Sequence, residues 1–416
     1  MLNKVRGTQD FLNLALFNFI INTTRAYLEC HHFSEIATPI LEHTDLFKRS
    51  LGLHTDVVTK QMFTIATADE GESICLRPEA TASTMRAFVE NHILERPWKV
   101  FSWGPMFRYE RPQKGRFRQF HQINLEMIDA ASIQYDAYLI MLLDRLFSQT
   151  FLLENYALMI NFLGCSADRQ AFKKILDTFL ASVVTHLCAT CKERKEKNAM
   201  RVFDCKNEQC QEQYRKAPHM TDHLCSGCKQ EWQTVQDSLQ MLSVTFSHAP
   251  SLVRGLDYYN KTVFEFVSTD LGAQSAFCGG GRYDHLLTYM GGKKDYPAIG
   301  ASIGVERLML LLEPLQDKLP LPQHKSLHCI LPLEPEQQTL ALFLADELFA
   351  QGLCVDVFLD NDSLKSMMRK ANKLGAQYVL IVGPDEQAKG EVVVKNMQTG
   401  AEERIKQTDV AAYLKK

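Results

Sequence analysis

The stretch from Gly104 to Glu126, GPMFRYERPQKGRFRQFHQINLE, constrains the fold more than any other part of the chain. It reads as two strands joined by a basic loop, Arg111-Pro-Gln-Lys-Gly-Arg116. Side chains alternate between the faces of a strand, so Arg108 and Glu110 are expected on one face. On the return strand Arg118, Phe120, Gln122, Asn124 and Glu126 share a face, while Ile123, Leu125 and Met127 point the other way. A strand that merely met water would favour Thr, Lys and Glu. This one offers a guanidinium, an aromatic plate, an amide and a carboxylate, a set that suits a ligand with a phosphate, a flat base and a small zwitterion. The competing reading is a charged hairpin lying over a core.

At 416 residues the chain can hold two or three domains, each with its own core. Hydrophobic residues at 46% and charged residues at 23% fit a soluble globular protein, and no uninterrupted apolar run could span a bilayer. The apolar segment Leu12 to Ile21 follows Lys4, Arg6 and Asp10 and is broken by Asn13 and Asn18. It reads as an amphipathic helix rather than a secretion leader. Twelve cysteines without a leader point to a reducing, cytoplasmic setting and to thiols or metal ligands. A net charge of −3 excludes a grip on nucleic acid by bulk charge. RNA contacts would have to come from local patches such as Lys192 to Lys197 or Lys365 to Lys373, which read equally well as solvated helix faces.

Residues 1–160 mix a helical pattern with alternating strands and lack a βαβ rhythm, and strands return at 250–310, VFEFV at 263–267 among them. These features predict an α+β core over 1–320 built on an antiparallel sheet. Residues 166–248 shift to Lys, Cys, Gln and Glu at helical spacing and read as an insertion. The insertion holds two CxxC pairs, Cys188 with Cys191 and Cys225 with Cys228, and Cys205 and Cys210 lie between them. Two such pairs can close one tetrahedral zinc site, with His219 or His223 able to replace one thiolate. Reduced thiols on a helical segment are the plain alternative. Pro314, Pro320 and Pro322 mark a linker. Beyond it HCILPL, CVDVFL and YVLIVG, separated by helical stretches and followed by EVVVKNM, predict a small α/β domain over 325–416 with a largely parallel sheet.

FRYE, the basic loop and RQFHQ running on to Glu126 resemble the second signature motif of class II aminoacyl-tRNA synthetases. VRGLDYY (Val253 to Tyr259) and CGGGRYD (Cys278 to Asp284) narrow the resemblance to the histidyl-tRNA synthetase family. VRGTQD near the start, RPEATA (Arg77 to Ala82) and IGVERLML (Ile303 to Leu310) agree in order and spacing, and the resemblance runs from about residue 4 to about 405.

The resemblance implies a class II catalytic domain with a helical insertion and a C-terminal anticodon-binding domain. It also implies ATP-dependent ligation of L-histidine to tRNA(His) through a histidyl-adenylate, with ATP taken as its Mg2+ complex, by a homodimer. Attack on the α-phosphorus builds negative charge there, so fixed guanidinium groups are the main catalytic device. By resemblance Arg108 meets the α-phosphate, and Arg254 bridges that phosphate and the histidine carboxylate. On physical grounds alone Arg254 could equally pair with Asp257 or another carboxylate. Phe120 and Arg307 match the pair that sandwiches adenine, Glu110 the contact to its exocyclic amine, and Arg116 the γ-phosphate contact. Without the motif order, Phe120 would pass for core and Arg307 for a helix-surface residue.

Glu79, Ala80 and Thr81 with Gln122 match the α-ammonium site, and Glu126 and Tyr259 the pair on the two imidazole nitrogens. Tyr258 adjoins them, unless it only packs in the core, and Tyr283 stands in the wall. A carboxylate and a phenol suit a ring whose nitrogens are donor and acceptor, and a site that pairs both penalises side chains lacking them. The glycines Gly279 to Gly281 suggest close backbone approach to substrate, with the functional weight on Arg282 and Tyr283. Ala80 stands where the family usually has glycine, and Ser275-Ala-Phe277 is bulkier than its usual small polar stretch. Two rival readings are a histidine-sensing regulatory subunit of ATP phosphoribosyltransferase and a class II ligase for another amino acid. Retention of Arg108, Arg254, Arg307 and residues 325–416 argues against the first. Glu126 with Tyr259 argues against the second.

Overall fold

The alternating hairpin lies inside an eight-stranded sheet. In this computed structural model, which describes residues 2–53, 55–66, 71–272, 275–322 and 326–415, strand Trp98–Phe107 pairs antiparallel with Gln119–Ile128. The sheet continues antiparallel through Ala298–Gly304, Ala276–Arg282, Asn260–Val267 and Ala157–Phe162. The two-residue strands Ser34–Glu35 and Ser247–His248 close its edges in parallel. This is the α+β architecture the sequence predicts.

The first strand stops earlier than its alternation suggests. Arg108 still pairs with the hairpin, its N–H donating to the Arg118 carbonyl at 2.9 Å, but the Tyr109 N–H turns to the Gln61 carbonyl at 2.7 Å. Arg118 in turn donates its N–H to Gly7 at 2.7 Å. Arg108, Glu110 and Arg118 therefore sit in the connecting loop, not on strands, because segments distant in sequence take their backbone groups.

Ile123, Leu125 and Met127 are buried under helices Ala15–Cys30 and Gln134–Arg145, in a core with Ile20, Ile21, Leu139 and Leu143. Each such side chain removed from water contributes about 1.5–3 kcal/mol, which fixes the register and leaves the polar set facing the other way. Between strands Ala157–Phe162 and Ser247–His248 the described residues form helices and no strand, from Ser166–Val183 to Ser226–Met241. Phe172, Leu176, Val235 and Leu239 of these helices join the same core rather than building one of their own.

The chain divides into two compact units, Met1–Leu321 and Pro322–Lys416. In the second, strands Cys354–Val357, Leu327–Pro332 and Tyr378–Val382 are parallel neighbours. Glu391–Asn396 and Glu402–Lys406 add an antiparallel hairpin. Helices cover both faces, Gln338–Ala350 against Ile330 and Leu380, and Leu364–Lys373 against Cys329 and Val379. A strand buried on both faces has no polar side to show, which is why HCILPL and YVLIVG read as unbroken apolar runs. Among the described residues no helix is long and apolar enough to cross a membrane.

Candidate active site

Small residues flank the polar face of Gln119–Ile128. Glu126 lies opposite Gly300, Asn124 between Ser102 and Ser302, and Gln122 between Gly104 and Gly304. A Cβ at Gly300 would land on the Glu126 carboxylate, and one at Gly279 on the Arg254 guanidinium. A Cβ at Gly281 would sit 2.9 Å from the Tyr259 ring. The glycines thus lower the floor of a cleft so that long polar side chains can lie across it.

At one end of this floor Glu126 is buried. Its Oε1 accepts from the Thr81 hydroxyl at 2.6 Å, and the Tyr283 hydroxyl donates to Oε2. Burial pushes this carboxyl up from 4.5 to about 8, so it carries a proton at neutral pH. Tyr258 and Tyr259 lie with ring centres 4.5 Å apart, and Tyr283 closes the cluster 5.6 Å from Tyr258. Burial pushes all three phenols up as well.

Glu79 caps helix Thr81–Glu90, its two oxygens accepting from the N–H groups of Thr81 at 2.8 Å and Ala82 at 2.9 Å. Burial raises its carboxyl too, and each oxygen keeps a lone pair for a further donor. Ala80, between Glu79 and Thr81, has φ −111° and ψ −18°, a conformation any L-residue adopts, so alanine here costs the backbone nothing. Gln122 Oε1 and Asn124 Nδ2 are buried without a hydrogen-bond partner. Leaving such groups unpaired costs about 1–3 kcal/mol each, a cost a polar ligand over this face would offset.

Cations gather at the other end. Arg108 donates Nε–H to the Pro78 carbonyl at 2.9 Å, with its guanidinium 5.3 Å from the centre of the Phe120 ring. Arg254 crosses Gly279, 5.8 Å from the Tyr259 ring, and is ion-paired with Glu265. Burial works against its charge, but Glu265 and the neighbouring phenols outweigh that and hold it above the usual arginine value. Its Nε is buried without a partner. Arg116 is paired with Glu110. Arg307 runs from helix Val305–Leu312 to the Gly115 carbonyl at 2.9 Å and the Ala276 carbonyl at 2.5 Å, pinning the basic loop over the sheet.

Three points depart from the sequence reading. Arg282 does not face the cleft. It is buried on the opposite side, donating Nε–H to Asp136 at 2.9 Å and further N–H groups to the carbonyls of Ala130 at 3.0 Å and Ser132 at 3.1 Å, where it fastens helix Gln134–Arg145 to the sheet. The two CxxC pairs do not share a site. Cys188 and Cys191 converge with Cys205 and Cys210, whereas Cys225 and Cys228 converge with Cys165 and Asp168. The reason is the fold, which puts the second pair at the start of helix Ser226–Met241, against the start of Ser166–Val183. Finally, two carboxylates went unnoticed. Glu265 holds Arg254, and Glu306 accepts from the His121 N–H at 2.9 Å and meets its Nδ1 at 2.8 Å. A lone carboxylate between the phenylalanines of VFEFV was the available signal for Glu265.

An antiparallel sheet with a helical core on one face and, on the other, a polar floor walled in part by helices Thr44–Leu51 and Thr81–Glu90, followed by a small α/β unit, is the architecture of a class II aminoacyl-tRNA synthetase. The family model described as histidyl-tRNA synthetase matches residues 18–308, and that of an anticodon binding domain matches 328–416. A histidine–tRNA ligase of Nitratidesulfovibrio vulgaris (strain DP4) is 43% identical, over 99% of this chain and 98% of the relative. One of Aquifex aeolicus is 40% identical over 98% and 100%. The crystal structure of apo S. aureus histidyl-tRNA synthetase superposes with a TM-score of 0.81 at 30% identity, covering both chains fully. The chain belongs to the histidyl-tRNA synthetase family.

Proposed function

We propose that this cleft activates L-histidine with MgATP and transfers it to tRNA(His). One histidine carboxylate oxygen attacks the α-phosphorus, the bond from that phosphorus to the bridging oxygen breaks, and diphosphate leaves with its electron pair. The terminal ribose hydroxyl of the tRNA then attacks the acyl carbon of the adenylate and AMP departs. The observation that carries this reading is the placement of Glu126, fixed between the Thr81 and Tyr283 hydroxyls beside the Tyr258–Tyr259 pair, on the same glycine-cleared floor as Arg254. A hydrogen-bonding site for the imidazole and a cation site for the phosphate would thus share one floor.

In this reading Glu126 and Tyr259 take the two ring nitrogens, with Tyr258 and Tyr283 as walls. Glu79, Gln122 and the Ala80–Thr81 turn hold the α-ammonium, which gives the orphaned Gln122 oxygen its donor. Phe120 and Arg307 clamp adenine, Glu110 takes its amine and Arg116 the γ-phosphate. Arg108 and Arg254 sit on the α-phosphate, where their charge is felt most strongly as the phosphorus becomes pentacoordinate. For this, Arg254 must exchange Glu265 for substrate. Residues 325–416 bind the anticodon arm of tRNA(His), and the chain works as a cytoplasmic homodimer.

The test is ATP–diphosphate exchange across all twenty amino acids. Histidine alone should support it, and equal rates with proline or threonine would refute the assignment. Absence of exchange with histidine would favour the sensing subunit instead.

A further inference from the structure

The insertion holds more ligand chemistry than one metal ion can use. We propose that it carries two separate zinc ions, one bound by Cys188, Cys191, Cys205 and Cys210 and the other by Cys165, Asp168, Cys225 and Cys228. Within each group the four ligand atoms all lie within 4.8 Å of one another. The sulfurs of Cys188 and Cys205 are 3.8 Å apart, which is about the edge of a tetrahedron drawn around zinc with Zn–S bonds of roughly 2.3 Å. That separation is far beyond a disulfide bond of about 2.05 Å.

The surroundings favour bound thiolates over idle thiols. In the first group the Cys188 N–H donates to the Cys210 sulfur at 3.2 Å and the Asn207 N–H to that of Cys205 at 3.4 Å. Donors aimed at sulfur fix the orientation of a metal-bound thiolate. Cys191 and Cys210 are fully buried and Cys188 is half-buried, so most of the centre is shielded from water, as in a structural site.

In the second group the Asp168 carboxylate is buried and accepts from the N–H groups of Cys225 at 3.0 Å and Cys165 at 3.3 Å. Among the described residues no Lys, Arg or His forms an ion pair with it. These N–H groups fix the Asp168 carboxylate as an acceptor facing three thiols, which makes a four-ligand set for a divalent ion. Hard and soft ligands together, four in number, suit zinc, which accepts sulfur and carboxylate oxygen alike.

Position separates the tasks of the two centres. The second lies at the root of the insertion. Cys165 follows strand Ala157–Phe162 after the tight turn at Gly164, where φ is +64° and a Cβ would meet that of Asp168 at 2.8 Å. Cys225 starts the last helix, Ser226–Met241, so one ion ties the way in to the way out. Arg169, next to Asp168, donates to the Tyr259 carbonyl at 3.1 Å, which links this root to the wall of the cleft. The first centre instead gathers the short helices Ala189–Lys197 and Glu208–Tyr214, which have few apolar residues to hold them.

Metal analysis of the full-length protein, purified with zinc present throughout, should find about two zinc ions per chain. Cys188→Ser and Cys225→Ser should each lose about one and keep the other, and the double variant should lose both. X-ray absorption at the zinc edge of the native protein gives a second readout that needs no variant to fold. It should show a mean shell of about 3.5 sulfurs and 0.5 oxygens per zinc, the average of a four-thiolate and a three-thiolate carboxylate site. One zinc per chain, no zinc, iron in its place, an all-sulfur shell, or both substitutions removing the same ion would overturn the proposal.

Discussion

Replacing Glu126 with glutamine should stabilise the empty protein at alkaline pH while weakening its hold on histidine. The carboxyl titrates near 4.5 in the unfolded chain and at about 8 in the fold, burial being the main cause. Below pH 4.5 both states are protonated and burial of the group carries no ionic penalty. As pH rises above 4.5 the unfolded carboxyl ionises and the folded one does not, so stability falls by about 1.4 kcal/mol per pH unit. The loss is complete once pH passes about 8 and amounts to roughly 5 kcal/mol. Glutamine keeps the shape, can bond the Thr81 and Tyr283 hydroxyls, and has no proton to lose. Urea denaturation followed by tryptophan fluorescence isolates the relevant unit, because Trp98, Trp103 and Trp232 all lie within Met1–Leu321. The stability difference between variant and parent should widen steadily from pH 5 to pH 8 and then level off. In histidine-dependent exchange the same variant should raise the histidine KM by roughly 2- to 12-fold, the worth of one hydrogen bond between uncharged groups. A stability difference that stays constant across pH 5 to 8 would mean that Glu126 is already ionised in the fold and would refute its protonated state.

Arg254→Ala should lower kcat for exchange by about a hundredfold or more, the equivalent of roughly 3 kcal/mol of lost phosphate stabilisation, with a smaller change in histidine KM. A near-normal rate would reassign Arg254 to holding Glu265. Arg282→Met should cost about 3–5 kcal/mol in urea denaturation, because Asp136 is left buried without its counter-charge, while the folded fraction keeps its histidine KM. A raised KM with undiminished stability would move Arg282 into the site.

Features with short-range causes were open to sequence reading. The two faces of Gln119–Ile128 follow from a period of two, and the unbroken apolar runs of the second unit follow from burial on both sides. The end of the first strand was not legible, because it depends on the Gln61 carbonyl reaching Tyr109 and on Gly7 capturing Arg118. The cysteines make the same point more sharply. Spacing identifies Cys225 and Cys228 as a local pair, but only the fold brings up Cys165, a lone cysteine in the sequence, and an aspartate without a metal motif. Arg282 misled for a related reason. Strand alternation puts it on the face opposite Gly281 and the floor of the cleft, yet its place in a motif suggested substrate contact.

Two arginines of the cleft are held by carboxylates, Arg254 by Glu265 and Arg116 by Glu110. A guanidinium left open in a half-buried groove would collect whatever anion the cell supplies, chloride and free phosphate first. Here an incoming anion must outbid a carboxylate already in contact, and a singly charged ion meeting one arginine gains too little to do so. On the proposed reading, a nucleoside triphosphate with a bound divalent ion would meet several of these groups at once and displace the internal partners together. The ion pairs would then act as a threshold against small anions, and affinity for the nucleotide should depend on ionic strength less steeply than the count of arginines implies.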